Sequence, residues 1–245
     1  MKVLTIRLTA PLQSYGGTAS FNYRTTGLHP SKSAVIGMIA AALGYRRDDC
    51  RIKKLNQLKY AVRVDQPGTV LRDFQTVEWK WTNKEGKKLS GTKLTYRDYL
   101  QDAVFMVAVG SDDSDLMSRI SYSLKHPRFS LFLGRRSNPV AGVLETDLSD
   151  SVSPLETLRD KAWQASRWYQ RRNSSKEDVR VEVFYDSSLS DTNKYVKVVK
   201  DEVISFDSKS REYQSRMESS EFVNLQNPLH EKEKFEDYDA MSIFD

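Results

Sequence analysis

Cysteine occurs once in these 245 residues, at Cys50, so an internal disulfide and a cysteine-built metal cluster are both excluded. A lone cysteine fits a reducing cytoplasm and is read as structurally incidental. Histidine is nearly as scarce, with three residues, and no acidic cluster is spaced to hold magnesium, so neither a metal nor a cofactor is expected. Long apolar runs are missing too: the longest, Ala34 to Leu43, is too short to span a bilayer. The first residues read as a strand and not as a charged, then greasy, signal peptide, so a cytoplasmic protein with no membrane partner is expected.

What remains is a chain that can build a core, with 39% hydrophobic and 11% aromatic residues, in one large domain or two small ones. The formal charge is +5, unevenly spread: Glu231–Asp245 holds six acids and two lysines, a net of −4, which leaves +9 on the rest. A basic body with an acidic tail points toward a polyanionic partner, most simply a nucleic acid.

The stretch Pro30-Ser31-Lys32-Ser33 opens a helix that runs to Leu43 and stops at Gly44. Ser31 or Ser33 can cap its first turn, and Lys32 adds positive charge where free amides and the helix dipole favour a phosphate. An ordinary capped core helix would read the same way, with Ile36, Ile39, Ala40 and Leu43 at helical spacing.

Before it, Lys2 to Leu8 alternates as a strand, with Leu4, Ile6 and Leu8 on the more buried side. The loop after it offers Gln13 for hydrogen bonding and Tyr15 for stacking. A short helix to about Leu58, capped by Asp48 or Asp49, and a strand through Tyr60, Val62 and Val64 follow. Residues 67–99 read as a long hairpin with a polar tip, carrying Lys84, Lys87, Lys88 and Lys93 beside Trp79, Trp81 and Tyr96. Lysines interleaved with aromatics can hold phosphates and stack bases. Ala103 to Ala108 is apolar throughout, as a central strand is, and a helix capped by Asp112 or Ser114 runs to Lys125 with Leu116, Ile120 and Leu124 buried. Strand, helix, strand, then strand, helix, strand is the ferredoxin-like order, with the hairpin inserted between its halves.

Gly134 allows close backbone approach, and Arg135 and Arg136 can fork onto phosphate. The expected division is an α+β, ferredoxin-like domain over residues 1–139, a smaller strand-rich part over 140–217, and an acidic tail over 218–245. Within the second part, Leu155 to Arg172 is basic and partly helical, Val179–Tyr185 and Tyr195–Phe206 are strands, and Asp207–Met217 is a polar connection.

Taken in order, Leu12-Gln13-Ser14-Tyr15-Gly16, Arg24-Thr25-Thr26-Gly27, Pro30-Ser31-Lys32-Ser33 with Gly37, Leu71-Arg72-Asp73-Phe74, Tyr96-Arg97-Asp98-Tyr99-Leu100 and Phe132-Leu133-Gly134-Arg135-Arg136-Ser137 resemble the CRISPR-associated RAMP family of type I-E Cascade complexes. The resemblance spans Lys2 to Pro139 and thins beyond it. It implies a ferredoxin-like (RRM-like) domain with a projecting thumb hairpin, and a non-catalytic antiviral-defence role: gripping the 5′ handle of crRNA and capping the backbone filament of a ribonucleoprotein complex. The implied partners are the backbone subunit CasC, the large subunit CasA, CasB and CasE in the same complex, and target DNA indirectly. Carried onto this chain, the RNA-binding candidates are Gln13, Tyr15, Arg24, Ser31, Lys32, Ser33, Arg72, Lys88, Lys93, Arg97, Arg135 and Arg136. Lys32, the hairpin and the arginine pair are expected to converge on one groove.

The rival reading is a metal-independent endoribonuclease that cuts CRISPR repeat RNA, which needs a base for the 2′-hydroxyl and an acid or cation at the phosphate; Lys125 and His126, assisted by Tyr15 or Tyr23, are the candidates. A third is a general single-strand RNA-binding module. In the matching subtype CasE does the cutting, which disfavours the second.

Overall fold

A sheet whose middle strands are apolar on both sides needs a cover on each face, and this chain supplies two sets of helices. The computed structural model describes residues 1–16, 22–82, 86–192, 195–207 and 209–230. In order they form β1 (Lys2–Thr9), β2 (Leu12–Gln13), β3 (Tyr23–Arg24), α1 (Lys32–Leu43), α2 (Arg51–Leu55), β4 (Lys59–Gln66), β5 (Thr69–Thr82), β6 (Lys88–Gln101), β7 (Val104–Ser111) and α3 (Ser114–Lys125). Then come β8 (Glu145–Asp150), α4 (Pro154–Asp160), α5 (Arg167–Arg172), β9 (Asp178–Asp186), β10 (Val196–Ser205) and β11 (Glu212–Gln226).

The chain has a mixed α and β, strand-rich fold. Seven strands make one antiparallel sheet in the order β10-β11-β9-β4-β7-β1-β8. On one face Leu4, Ile6 and Leu8 of β1 and Phe105, Val107 and Val109 of β7 pack against α1 and α3. On the other, Val3, Met106 and Ala108 meet Leu155 and Leu158 of α4. That second cover explains why β7 is buried at seven of its eight positions.

α1 begins and ends where the residue types direct it: Ser31 Oγ accepts from the Ala34 amide, and Gly44 takes the left-handed conformation at φ 79°. The other caps differ from expectation. α3 is capped by Asp113 and not by Asp112 or Ser114, and its buried stripe is Met117, Ile120 and Leu124, with Leu116 only partly covered. At α2 the N-cap position is Cys50, which makes no side-chain cap bond, while Asp49 one residue earlier accepts both the Arg51 amide at 2.9 Å and the Arg51 guanidinium at 2.6 Å.

The carboxy-terminal half is tied in by buried charge. Arg63 and Asp65 of β4 are wholly buried and paired, and Arg63 also donates to the carbonyls of Leu158, Lys161 and Ala162. A second network lies between the start of α1 and β9, β10 and β11. Asp186 accepts from Lys32 Nζ and Arg216 Nη1, both at 3.0 Å. Asp201 accepts from Arg216 Nε at 2.6 Å, and Glu218 from Arg216 Nη2 at 2.6 Å. Burial by itself would lower the Arg216 pKa, but the three carboxylates more than offset it and hold the guanidinium charged.

The expected division of the chain does not follow the strands. The boundary at 139/140 separates β8 from β1, its partner in the same sheet. The boundary at 217/218 falls inside β11: Glu218 and Ser219 are buried, and the strand continues to Gln226. The expected polar connection likewise contains the first half of β11. Glu218 reads as tail because it is charged, yet Arg216 and β9 give it a partnered interior place. Residues 231–245 lie outside the described residues.

Candidate nucleic-acid interface

β5 and β6 pair without interruption from Thr69↔Gln101 to Thr82↔Lys88. At about 3.3 Å per residue, each fourteen-residue arm is roughly 46 Å long. Among the described residues only its root is held by other strands: β2 joins β6 at Leu100 and Gln101, and β3 at Tyr96 and Arg97. Lys84, at the tip, lies outside the described residues.

Alternation sorts the hairpin into two faces. One carries Val77, Trp79 and Trp81, with Lys93, Gly91 and Leu89 directly across from them, and Arg97 nearer the root. A Cβ at Gly91 would stand 2.8 Å from the Trp79 ring, so the glycine makes room for the indole. With Asn22 and Arg24 beside β6, this face bounds an open cleft of about 800 Å³. Trp79 and Trp81 are 44% and 58% exposed, unusual for indoles with no function outside a core. Arg97 Nε is buried and has no hydrogen-bond partner among the described residues. The cleft thus presents three cations and two indoles, the chemistry that holds phosphate and stacks bases.

The opposite face has its own cluster at the root. Phe74 and Tyr23 lie 5.6 and 6.1 Å from Tyr96, and the Arg72 guanidinium sits 4.8 Å over Tyr23 while donating to Asp98 at 2.9 Å. Lys88 is exposed on this side, away from the cleft.

Arg135 locks the root. Its guanidinium donates to the carbonyls of Asp98 and Arg24 at 3.1 and 2.9 Å and lies 4.7 Å over Tyr99. Burial pushes the Tyr99 hydroxyl up, but Arg135 and Ser137 more than offset it and bring it below the usual tyrosine range. The loop behind Arg135 depends on Gly134 at φ 86°, where a Cβ would fall 1.5 Å from the Ser14 carbonyl oxygen.

Several expected site residues are elsewhere. Gln13 and Tyr15 are core: Tyr15 Oη donates to Gln13 Oε1 at 2.6 Å, Gln13 Nε2 to the Ala103 carbonyl at 2.7 Å, and the Tyr15 ring meets Phe105 edge-on. Both side chains are closed off from the surface, Gln13 fully and Tyr15 to 2% exposure. Ser31 caps α1 and shares its hydroxyl with Ser33 at 3.1 Å. Lys32 is buried on Asp186, and its amide donates to Asp201 at 2.8 Å. The anion-seeking end of α1 is therefore filled by the protein's own carboxylates, and Lys32 does not join Arg135 in one groove. Arg24, Lys93 and Arg97 are brought together, Arg72 lies on the far face, and Arg136 is exposed beside the locked loop. Asn22, Val77 and Thr95 were missed as lining residues. The shared parity of 77, 79 and 81 along β5 is the signal that would have found Val77.

The set expected for catalysis does not form either. Burial raises the Tyr15 hydroxyl far above its ordinary pKa and closes it off, while His126 is exposed at the end of α3, stacked 4.5 Å from Tyr122. Among the described residues no group of three metal-ligating side chains is close enough to hold an ion, and no helix is long and apolar enough to cross a membrane.

Comparison with known proteins places this geometry. Residues 3–221 match the family model described as CRISPR-associated protein (Cas_Cas5). Over 167 residues the chain is 32% identical to the CRISPR system Cascade subunit CasD of Escherichia coli (strain K12), covering 63% of this chain and 75% of that protein. It superposes on a chain of a CRISPR RNA-guided surveillance complex with a TM-score of 0.73 and 30% identity, covering 94% and 93% of the two chains. A solved Cas protein gives a TM-score of 0.64 at 25% identity, covering 94% and 98%.

Proposed function

This chain belongs to the CRISPR-associated Cas5 family, and from that premise we propose that it is a non-catalytic, RNA-binding subunit of a Cascade surveillance complex that grips the 5′ handle of crRNA. The observation that carries this reading is the cleft along the hairpin, where Arg24, Lys93 and Arg97, whose buried Nε has no hydrogen-bond partner among the described residues, line one face with Trp79 and Trp81. The cations hold the phosphates, and the indoles take splayed bases.

The strand order β4-β7-β1-β8, with α1 and α3 on one face, supports a ferredoxin-like RAMP domain, and the long hairpin supports a thumb. β9, β10 and β11 then form the smaller carboxy-terminal part, joined through the β4 and β9 pairing. In this reading the subunit caps the filament beside CasC, sits near CasA in a cytoplasmic complex with CasB and CasE, and meets target DNA only through the guide. The seclusion of Tyr15 from Lys125 and His126 supports leaving cleavage to another subunit.

The test compares a handle-bearing RNA with a scrambled RNA of equal length at moderate salt, using the purified chain and its Arg97→Ala and Trp79→Ala/Trp81→Ala variants. Preference for the handle is expected. Loss of one stacked base costs about 1–3 kcal/mol, so the tryptophan variant weakens binding at least about fivefold. Equal affinity for both RNAs would overturn handle recognition, and metal-free cleavage lost in His126→Ala would overturn the non-catalytic assignment.

A further inference from the structure

We propose that Asp73, held by Gln75 and set across from Arg97, reads the Watson–Crick edge of one guanine in the bound RNA. This rests on the RNA-binding reading above and adds the base that the hairpin selects. Of the fourteen positions of β5, Asp73 and Gln75 alone are half-buried. By alternation they belong to the face that carries Val77, Trp79 and Trp81. Their direct partners across the hairpin, Arg97 and Thr95, are half-buried as well. The four side chains stand where two cavities meet. Thr95 and Arg97 line the cleft of about 800 Å³ toward the tip, while Asp73 and Gln75 line a second space of about 460 Å³ toward the root, beside Leu71, Tyr99 and Ser137. A volume of that order holds a small ligand.

Opposite charges directly across a hairpin ordinarily pair. Asp73 and Arg97 do not: no ion pair joins them among the described residues, Asp73 Oδ2 accepts from Gln75 Nε2 at 2.6 Å, and Arg97 Nε finds no acceptor. Gln75 is fixed in turn, its main-chain carbonyl accepting from Thr95 Oγ1 at 3.3 Å. A positioned carboxylate and a guanidinium therefore stand side by side at the junction. Phosphate binding does not account for the acid, because a negative charge beside Arg24, Lys93 and Arg97 opposes it. An ionised carboxylate only accepts hydrogen bonds, so its ligand is a donor, and on RNA the donors are base N–H groups and the 2′-hydroxyl. Guanine alone among the four bases presents two adjacent donor groups, at N1 and N2, next to an acceptor, O6. The two donors match Asp73, and O6 matches Arg97.

The test measures anisotropy with the full chain at low salt on eight-nucleotide RNAs. One is all uridine; in the others a single guanosine, adenosine or inosine is moved through the eight positions. Inosine stacks as guanosine does and keeps N1–H and O6 but lacks the N2 amino group, so it isolates the second donor. Guanosine is expected to bind at least about fivefold tighter than adenosine or inosine at one position or more. In Asp73→Asn, which keeps the side chain's size and turns one acceptor into a donor, that ratio is expected to fall to about one. Circular dichroism checks that the variant is folded. Equal binding of the three nucleotides at every position would overturn the proposal and leave RNA binding standing, whereas binding of no octamer would overturn both. A guanosine preference unchanged in Asp73→Asn would also overturn it. So would a variant that binds every octamer more tightly by one common factor, since the carboxylate would then only repel phosphate. Loss of the preference on 2′-deoxy substitution of the guanosine would assign Asp73 to the ribose and overturn it too.

Discussion

Lys32→Met separates two roles for one lysine. The residue sits among Asp186, Asp201 and Glu218, whose side chains are 13%, 13% and 6% exposed, with Arg216 as the other cation. Methionine keeps the apolar stem and removes the charge, so three carboxylates are left facing one guanidinium. Breaking a buried pair in this way costs about 3–5 kcal/mol. Asp186 retains Arg216 and the Tyr60 amide, each at 3.0 Å, which puts the expected loss near the lower end, about 3 kcal/mol. For a domain of this size that lowers Tm by roughly 6–12 °C. Calorimetry reads the first quantity, and anisotropy of a labelled handle RNA, at a temperature where both proteins are folded, reads the second. RNA affinity per folded molecule should stay within about twofold, since Lys32 Nζ is occupied by Asp186. An unchanged Tm with weaker binding and a salt slope reduced by about 0.7 would show Lys32 to be a phosphate ligand and refute the argument.

Two further substitutions and one titration follow from the same geometry. Gly134→Ala forces a side chain into the left-handed region and onto the Ser14 carbonyl; a loss of about 2 kcal/mol or more, together with weaker RNA binding as Arg135 releases the hairpin root, is expected in thermal melts and anisotropy. A neutral Gly134→Ala would mean that the loop yields freely. Tyr15 and Tyr60 are both buried, and burial raises both hydroxyls above 10. Their folded state therefore keeps protons that the unfolded chain releases. Stability is intact below about pH 10 and falls above it by about 1.4 kcal/mol per pH unit for each tyrosine, as urea titrations would show. Tyr15→Phe should remove about half of that slope, and an unchanged slope would contradict the burial assignment.

The amino-acid sequence by itself determined the elements whose signal is local. The alternation of Leu4, Ile6 and Leu8, the apolar run of β7, the Ser31 and Gly44 ends of α1 and the long hairpin could all be read directly, because each depends on neighbours a few residues away. The motifs also carried the family. Tertiary structure decided what the polar residues were for. Lys32 meets Asp186 across 154 residues, and its amide meets Asp201 across 169. A lysine at a helix start looks the same in sequence whether its partner is a phosphate or a buried carboxylate. Gln13 and Tyr15 satisfy each other in the core, which no local pattern distinguishes from two residues waiting for a base. Glu218 reads as tail because charge predicts exposure, and only the placement of Arg216 and β9 gives the buried carboxylate its partners. Periodicity reports which side of an element is apolar, and long-range pairing chooses which charges are already taken.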